Sequence, residues 1–595
     1  MVKNFLKKTF SSGFLGMYMV IPILALSQVP QLFYSTDLLR LSNLLFFTLL
    51  VLLCNYKYLQ INQLIQAIPI LLILIYSFNQ LILGNDLTSF LLGRFNRYGG
   101  IISLICFSIF YILSSNTNLG ARKDFIKSLY VAYMLSMVYG VLTATGLADY
   151  LLNFNVNESK PVVPNALSLT FGNPNMASAF LGMCISMHLF LILFKEFKAT
   201  MVQIPLLITN IYLLYCTKSI QGWLILSINL SLYLFLIIRR KKKSLNIKSF
   251  LAFALLTIPS TVLIVYNLPR LKEIFIIGGH AEARINYWKA SLRIWNEHLF
   301  TGVGIDNLGE YSTFYRDQIL AKQEGIWTIP DRTHNVVLDH LVNGGIFAGL
   351  IWLIFIATVS IQASKIIFKD RKSSISIYDF SVVIIWVGYL IQSLLSVDHI
   401  ILTLIGYCSA GLIVSKNVED MNAKISNMYK KIYSIASILI LLMIFTLYQI
   451  RLDYSLNQFL KIGKSENLER IYNAKFIDQQ SLLDVVVKVT ADKQFKLASL
   501  LGDKLLKLNP YAHQAYYAKS VFLESEGEIY GAKVEMEKAH MVDKYNSVYT
   551  LSIGIYEFNL KNYSKAKFWL NETISLNPNQ QGIENLQRSL SDKLN

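Results

Sequence analysis

Charged residues are scarce in this sequence of 595 residues, at 15% of the chain. A soluble globular protein carries about 25%. Here 54% of the residues are hydrophobic, and the mean hydropathy is +0.44. A wholly soluble protein is therefore excluded. The composition predicts a polytopic membrane protein with room for an added domain.

Cysteine is also scarce, and all five cysteines lie within or at the ends of apolar segments: Cys54, Cys106, Cys184, Cys216 and Cys408. This placement excludes a disulfide framework and a thiolate metal site. Four histidines lack metal-ligand spacing, and we interpret them as structural: His280, His298, His340 and His399. The polar loops offer no convincing carboxylate cluster for a divalent ion. We expect neither a metal ion nor a cofactor.

Acidic residues number 37 against 55 Lys and Arg, which gives a formal net charge of +18. Such an excess can indicate nucleic-acid binding, but here many basic residues stand in short clusters between apolar runs. This is the positive-inside pattern. We therefore assign the charge to membrane topology and anionic lipid, and we expect no nucleic-acid partner.

Apolar runs long enough for a membrane helix recur along most of the chain. They predict an all-α bundle of about 12–13 spans, near 13–34, 38–54, 62–83, 98–115, 125–146, 174–194, 201–217, 219–238, 249–266, 340–368, 378–395, 399–415 and 432–450. We predict four regions: an N-terminal bundle at 1–266, a large loop at 267–335, further spanning helices at 336–450 and a helical tail at 451–595.

A cytoplasmic N-terminus, on an uncleaved first helix, puts the basic clusters of the short connections on one side of the membrane. These clusters are Lys57, Arg122 with Lys123, Lys195 with Lys198, residues 239–243, Lys369 with Arg371 and Lys372, and Lys430 with Lys431. The same orientation puts the large loop and the tail on the opposite, extracytoplasmic side.

The tail is amphipathic and repeats. The tripeptide at Leu508 to Pro510 recurs 68 residues later, twice the 34-residue period of a tetratricopeptide (TPR) repeat. Small residues recur at the single period: Ala498, Ala532 and Ala566. We predict a TPR-like α-solenoid of two and a half to three repeats, able to bind a protein partner. A generic helical bundle remains the alternative.

The large loop ends in a polar pentapeptide, from Asp331 to Asn335, that leads directly into an apolar segment. The pentapeptide therefore brings His334 to a membrane surface. Upstream in the loop stand Arg284, Trp288 and the Gly302-Val303-Gly304 step, and downstream lies Gly344-Gly345. In this order, between late spans, the pattern resembles the O-antigen ligase and polymerase superfamily.

The resemblance implies a GT-C-like glycosyltransferase in the bacterial cytoplasmic membrane. It implies transfer of a glycan from a polyprenyl diphosphate carrier to an acceptor hydroxyl outside the cytoplasm. Lipid, glycan or protein could serve as acceptor.

The residues independently suit this chemistry. The diphosphate gains negative charge as the glycan leaves, so fixed cations are needed. Arginine binds diphosphate well because its planar fork donates two charge-assisted hydrogen bonds. The predicted diphosphate ligands are Arg284, Arg332, Arg94, Arg97 and Lys218. His334 is the predicted base for the acceptor hydroxyl, with Asn335, Trp288, Gly302 and Gly304 in support.

The sequence departs from the family at one turn. Family members commonly carry a Ser-Arg-Gly-like segment there, whereas this chain has Ile220 at the expected arginine. We expect Lys218, or an arginine from another loop, to substitute.

Three functions stay open at this point. A polymerase or ligase of cell-surface polysaccharide is the main hypothesis. An O-oligosaccharyltransferase for exported proteins suits the repeats, which often form concave peptide-binding surfaces. A flippase or transporter is disfavoured because the spans carry few charges and show no internal symmetry.

Overall fold

The computed structural model describes residues 15–26, 35–117, 120–147, 166–194, 196, 200–241, 280–325, 330–368, 376–415, 426–463 and 465–594. Across this part of the chain the fold is all-helical, and no strand occurs in it. Two short 3₁₀ helices, Tyr56–Tyr58 and Leu169–Phe171, join the α-helices. The all-α prediction is confirmed for these residues.

The first bundle contains ten α-helices in the described ranges: α1 Leu15–Tyr18, α2 Val20–Leu26, α3 Thr36–Asn55, α4 Leu64–Leu83, α5 Leu87–Leu92, α6 Ile101–Ser115, α7 Gly120–Ala144, α8 Pro174–Leu193, α9 Thr200–Cys216 and α10 Gln221–Lys241. The loop that follows contains α11 His280–Glu297, α12 Leu308–Tyr315 and α13 Gln318–Glu324. Further apolar helices are α14 Val336–Ile367, α15 Ile377–Leu395, α16 Ile400–Val414 and α17 Ser426–Ile462.

Seven helices in the described ranges are long and apolar enough to cross a membrane: α3, α4, α7, α8, α14, α15 and α17. Four apolar helices are shorter, namely α6, α9, α10 and α16. The predicted span at 13–34 is different in its described part, where α1 and α2 form two short helices. The predicted span at 249–266 lies outside the described residues. The structure therefore supports a multi-pass membrane protein, with seven full-length candidate spans in the described ranges against the 12–13 predicted for the whole chain.

Many large apolar side chains are exposed on these helices instead of being packed in the protein core. Along α4 and α17 they include Leu64, Leu74, Phe78, Leu81, Tyr433, Leu441 and Ile444. Contiguous apolar surface of this extent is typical of contact with a membrane. The opposite sides of the helices pack into one large apolar core, in which α6 contacts α16 and α8 contacts α10 and α15.

Helix α14 carries the junction between the loop and the bundle, and it is kinked. Gly345 has φ +70°, which interrupts the regular helix near its first turns. The loop backbone uses the disrupted groups: Val303 N donates to Val342 O at 3.0 Å, and Ile346 N donates to Leu299 O at 2.9 Å. The kink therefore joins the loop to α14 through backbone hydrogen bonds.

The tail continues as α18 Ser465–Asn473, α19 Gln479–Ala491, α20 Phe495–Leu508, α21 His513–Ser525, α22 Ile529–Val542, α23 Ser547–Asn559, α24 Tyr563–Leu576 and α25 Ile583–Leu594. Each helix from α19 onward packs on the next. The starts of α19, α21 and α23 are 34 residues apart, as are those of α20, α22 and α24. Ala498, Ala532 and Ala566 are fully buried.

Candidate functional site

His334 lies at the end of the loop, immediately before the Asn335 cap of α14. Its φ of +59° is a left-handed conformation, which is uncommon for residues other than glycine. The Asn335 side chain accepts hydrogen bonds from Val337 N at 3.1 Å and Leu338 N at 3.2 Å. This cap satisfies backbone donors at the helix start. The turn before α14 therefore fixes the position of His334 relative to the start of the helix.

Helix α11 supports the histidine from the loop side. The Tyr287 ring stacks on the His334 ring, with centroids 5.7 Å apart and an interplanar angle of 18°. Trp288 Nε1 donates a hydrogen bond to Thr333 O at 2.9 Å. The predicted supporting residue Trp288 thus contacts the residue before His334, and Tyr287 is a contact that the sequence reasoning missed.

The His334 imidazole is half-buried among positive charges. Burial and then the charge of Arg284 lower its pKa to about 4, with Asp331 acting in the opposite direction. The ring is therefore neutral near pH 7. Its Nδ1 is buried and has no hydrogen-bond partner among the described residues. A neutral imidazole with a free nitrogen can accept a proton.

Arg332 is buried and forms an ion pair with Asp306. Its Nη2 lies 2.6 Å from Asp306 Oδ1, and both side chains are almost fully buried. Burial alone would lower the pKa of Arg332, but Asp306 and other carboxylates raise it above its ordinary value. Gly99 packs directly against this guanidinium, where a Cβ would clash. The predicted ligand Arg332 is thus already compensated by carboxylates of the chain.

Arg94 and Arg97 lie on one turn, and each has a carboxylate partner. Arg94 Nη1 donates to Glu310 at 3.2 Å, and Arg97 Nε donates to Asp331 at 2.5 Å. Burial raises the pKa of Asp331, yet the charge and hydrogen bond of Arg97 leave it below its ordinary value. Three of the predicted cationic ligands therefore pair with acids in this structure.

Arg284 and Lys218 differ from those three. Arg284 is half-buried on α11, and burial lowers its pKa. Within the described part of the chain it has no hydrogen bond or ion pair. Lys218 is exposed on the turn after α9, has φ +52° and does not line the pocket described next. Arg284 is thus the predicted cation that stands beside His334 without a carboxylate partner.

A pocket lies beside the loop end, between the turn at residues 97–99, the start of α14 and the α15–α16 connection. Its charged or titratable lining groups are Arg97, Arg332, Asp306, Asp339, Asp398, His340, His399, Tyr76, Tyr98 and Tyr407. Burial raises the pKa of Asp398 to about 7, although Arg332 opposes this shift. Burial lowers the pKa of His399 to about 3. We call this set of residues the pocket.

Neither His334 nor Arg284 lines the pocket. The segment from Asp331 to His334 connects the pocket with the surroundings of His334. Arg332 lines the pocket, and His334 packs against α11. No group of three or more His, Cys, Asp or Glu residues in the described ranges has a geometry that could hold a metal ion. The arrangement offers a neutral base beside Arg284, which has no carboxylate partner among the described residues, and buried carboxylates around Arg332 on the other side.

Gly302 and Gly304 occupy positions where the loop approaches other backbone closely. Gly302 has φ +62°, and a Cβ there would meet Val342 O at 2.4 Å. Gly304 has φ +100°, and its N donates to Asn343 O at 2.9 Å. Both positions therefore require glycine to seat the loop on the kinked helix. This contact accounts for the two glycines without a ligand.

Three acids that line the pocket, Asp306, Asp339 and Asp398, were not among the predicted site residues. Asp306 lies two residues after Gly304, and Asp398 lies two residues before the start of α16. The sequence contained a signal for Asp306, because a lone acid in a glycine-containing turn indicates a special backbone position. In the structure Asp306 has a φ of +59°. No sequence pattern could pair it with Arg332.

Comparison with known proteins adds one match. Residues 205–353 match the family described as O-Antigen ligase. This stretch includes the Ile220 turn, the described part of the large loop and the start of α14. No curated protein matches the chain. The match supports a place for this chain in the O-antigen ligase and polymerase superfamily, and with the apolar helices it indicates a membrane protein of glycan ligation or polymerisation.

Proposed function

We propose that this protein is a membrane glycosyltransferase that moves a glycan from a polyprenyl diphosphate carrier to an acceptor hydroxyl, without a metal ion. The single observation that carries the proposal is the pair formed by Arg284 and His334. A neutral imidazole with an unpartnered Nδ1 lies within the electrostatic influence of a guanidinium that has no carboxylate partner among the described residues. The match of residues 205–353 to the O-Antigen ligase family supports the reaction class.

The donor diphosphate binds at Arg284 in this proposal. The guanidinium offers five N–H donors in a planar fork, which suits diphosphate oxygens. Arg97 and Arg332 add positive potential nearby, although their carboxylate partners partly cancel it. Lys218, on the turn where the family commonly has an arginine, remains a candidate for a more distant donor contact. These cations stabilise the charge that develops on the leaving diphosphate.

The acceptor hydroxyl loses its proton to His334 as it attacks the anomeric carbon. In the free protein the lowered pKa keeps the imidazole neutral but makes it a weak base. Binding of the anionic diphosphate beside Arg284 offsets the positive charge that lowers this pKa. The pKa of His334 then rises toward the pH of the reaction, which strengthens the base when the donor is present. In this proposal the donor therefore binds before the acceptor hydroxyl is deprotonated.

The reaction takes place on the extracytoplasmic side in this proposal, because the positive-inside distribution puts the large loop there. The same orientation brings the tail helices to that side. Their 34-residue spacing supports a TPR-like solenoid, and such a surface could bind a protein partner. The cytoplasmic membrane of a bacterium is the proposed location.

The proposal is tested with the full-length protein in liposomes, supplied with a polyprenyl diphosphate glycan and candidate acceptors. We expect His334→Ala to lower transfer by about 10²- to 10⁴-fold, the usual contribution of a general base. We expect Arg284→Ala to lower transfer and weaken donor binding. Matched controls are His298→Ala in the same loop and Arg293→Ala on the same helix, where Arg293 is half-exposed and pairs with Asp317. Both controls should retain transfer.

The products then distinguish the acceptors. A ladder of glycans indicates a polymerase, a single transfer to a lipid or glycan indicates a ligase, and a glycopeptide indicates an O-oligosaccharyltransferase. Movement of the donor across the membrane without transfer would support the transporter hypothesis. Normal transfer by correctly folded His334→Ala and Arg284→Ala proteins would refute the proposed site.

A further inference from the structure

We infer that the C-terminal helical domain is part of the donor site, because Asn509 positions Arg94 through the carboxylate of Glu310. This inference rests on the proposed function, since it concerns the site that would bind the donor diphosphate. Asn509 touches no reacting group, so it is a positioning residue. The inference assigns a role in the site to a domain that lies far from His334 in the sequence.

Glu310, near the start of α12, joins the two regions. Its Oε1 accepts a hydrogen bond from Arg94 Nη1 at 3.2 Å, and its Oε2 accepts one from Asn509 Nδ2. The Arg94 guanidinium lies directly over Gly309, where a Cβ would meet Nη1 at 1.8 Å. Arg94 is thus confined between the glycine and the carboxylate.

The turn that begins at Arg94 continues into the pocket. The backbone N–H groups of Arg94 and Gly99 both donate to Asp306 Oδ2, at 2.8 and 3.2 Å. The other oxygen of Asp306 faces Arg332 at 2.6 Å. Arg97, between these anchors, lines the pocket. A displacement of Arg94 therefore moves the turn that presents Arg97, and it loosens the acid that compensates Arg332.

A second buried contact fixes the domain that carries Asn509. Arg316 Nη2 lies 2.6 Å from Asp543 Oδ1, and both side chains are fully buried. Beside it, Tyr511 packs against Tyr311, with ring centroids 4.9 Å apart, and against Phe314 at 5.8 Å. We call this contact between α12, Arg316 and residues 509–549 the seam. The seam holds Asn509 at a fixed distance from Glu310.

We call the chain of contacts from Asn509 through Glu310 to Arg94 the relay. The charge of Glu310 makes this relay sensitive to the loss of Asn509. Burial raises the pKa of Glu310, while the charge of Arg94 and the hydrogen bond from Asn509 lower it. Other titratable groups near Glu310 are Tyr311 on α12, and Tyr511 and His513 across the seam. His513 is neutral near pH 7, because burial lowers its pKa to about 4. Removal of the Asn509 donor therefore favours a protonated Glu310, which no longer holds the Arg94 charge.

The repeat supplies a matched control. Asn509 and Asn577 follow α20 and α24 in equivalent Leu-Asn-Pro tripeptides, and each accepts a hydrogen bond from the backbone N–H two residues later, at 2.8 and 3.1 Å. Substitution by aspartate keeps this acceptor in both. In Asn509→Asp, however, the donor to Glu310 is replaced by a second carboxylate. Asn577 has no such contact among the described residues.

The experiment uses the full-length protein in liposomes and compares wild type, Asn509→Asp and Asn577→Asp. For Asn509→Asp we expect the KM for the polyprenyl diphosphate donor to rise about 10-fold, within the usual range for coupling inside one hydrogen-bonded network. The change in kcat should be smaller. The acid limb of kcat/KM should move to higher pH, because Glu310 takes up a proton more readily. Asn577→Asp should match wild type in all three readings.

A double variant tests the relay itself. In Asn509→Asp/Glu310→Gln the carboxylate and the amide change places across the seam, so a hydrogen bond can form in the reverse direction. We expect the shift of the acid limb to disappear and part of the rise in KM to be reversed. Calorimetric titration with inorganic diphosphate gives a second reading that does not need turnover.

The outcomes separate the two proposals. If wild type transfers glycan but Asn509→Asp equals wild type in KM, pH profile and diphosphate affinity, the positioning role is overturned and the proposed function stands. If wild type binds diphosphate more tightly than Asn509→Asp but transfers nothing, the positioning role stands and the proposed function is wrong. If wild type neither transfers glycan nor binds diphosphate, both are overturned.

Discussion

The pocket and the seam each bury an arginine–aspartate pair at 2.6 Å, but they treat the carboxylate differently. At the seam, Asp543 gives one oxygen to Arg316 and the other to Asn546, whose Nδ2 donates at 3.1 Å. In the pocket, Arg332 faces Asp306 while Asp339 Oδ2 and Asp398 Oδ1 are buried without a hydrogen-bond partner among the described residues. One region balances its buried charge, and the other contains surplus acid.

This difference separates a structural contact from a candidate functional one. A buried ion pair whose carboxylate has both oxygens occupied can hold two parts of a protein in register. Buried carboxylate oxygens without a hydrogen-bond partner among the described residues, such as Asp339 Oδ2 and Asp398 Oδ1, are costly in a structure that only needs to fold, and such groups cluster at functional sites. We therefore propose that the seam serves assembly and that the pocket serves substrate chemistry. Three substitution pairs test it.

The largest effect is expected from removing either arginine. Arg332→Met and Arg316→Met each leave a buried carboxylate without its cation, which typically costs about 3–5 kcal/mol. In the pocket, several carboxylates lose their shared cation, so the folded variant binds more protons than the unfolded chain. Its stability should therefore fall more steeply as pH rises than that of Arg316→Met. Unfolding midpoints in detergent between pH 5 and pH 8 measure this.

A second comparison serves as the control for this prediction. Replacing both partners at the seam, in Arg316→Met/Asp543→Leu, should recover most of the lost stability, because apolar substitutes for a buried pair are often neutral or stabilising. The matched Arg332→Met/Asp306→Asn, which keeps an acceptor for the N–H groups of Arg94 and Gly99, should not recover it, because Asp339 and Asp398 remain. Equal recovery in the two regions would abolish the distinction between them.

An intermediate effect is expected on the pH dependence of transfer. The base must be deprotonated to act, and the lowered pKa of His334, about 4, keeps it so well into the acid range. Arg284→Met removes one cause of this shift. The acid limb of kcat/KM, which reports the free protein, should move to higher pH, toward the ordinary histidine value of about 6.5. Arg293→Met, on the same helix as Arg284 but paired with Asp317, should leave the limb in place, and an unmoved limb in Arg284→Met would contradict the proposed pairing.

The smallest effect concerns two asparagine caps, one in each region. Asn335 caps α14 beside the pocket, and Asn546 caps α23 at the seam, where its side chain accepts from Val548 N at 3.1 Å. Loss of either cap by substitution with alanine should cost about 1 kcal/mol. Asn546→Ala should cost more, because it also removes a hydrogen bond to a carboxylate. Thermal unfolding measures both.

The sequence indicated which residues lie near His334 better than it indicated how the charged residues pair. The loop order brought Arg284, Trp288 and His334 into one hypothesis, and the structure brings Trp288 against Thr333 and places Tyr287 on the His334 ring. The amino-acid types indicated cations for a diphosphate, but nothing in the sequence showed which acid would compensate which arginine. The pair of Arg94 with Glu310 joins residues 216 positions apart, and the pair of Arg332 with Asp306 joins two turns of the large loop that no sequence pattern relates.

Helix ends show the same limit. The apolar run predicted a span at 98–115, but α6 begins at Ile101, because Gly99 and the preceding turn bind Asp306 instead of continuing a helix. The tail shows the opposite case, in which spacing was informative. Helix starts fall at the 34-residue interval read from the small residues, since packing between paired helices repeats with the chain. The TPR assignment itself stays a prediction.

The kink at Gly345 has a mechanical consequence. It divides α14 into a short first segment, in which the carbonyls of Val342 and Asn343 accept hydrogen bonds from the loop, and a longer apolar segment, which is bonded to the loop at its first residue, Ile346. Helices respond to a mismatch with bilayer thickness by tilting. A tilt of the longer segment can be absorbed at Gly345, so the first segment, with Asn335 and His334 at its start, keeps its relation to residues 299–304. The site should therefore tolerate membranes of different thickness.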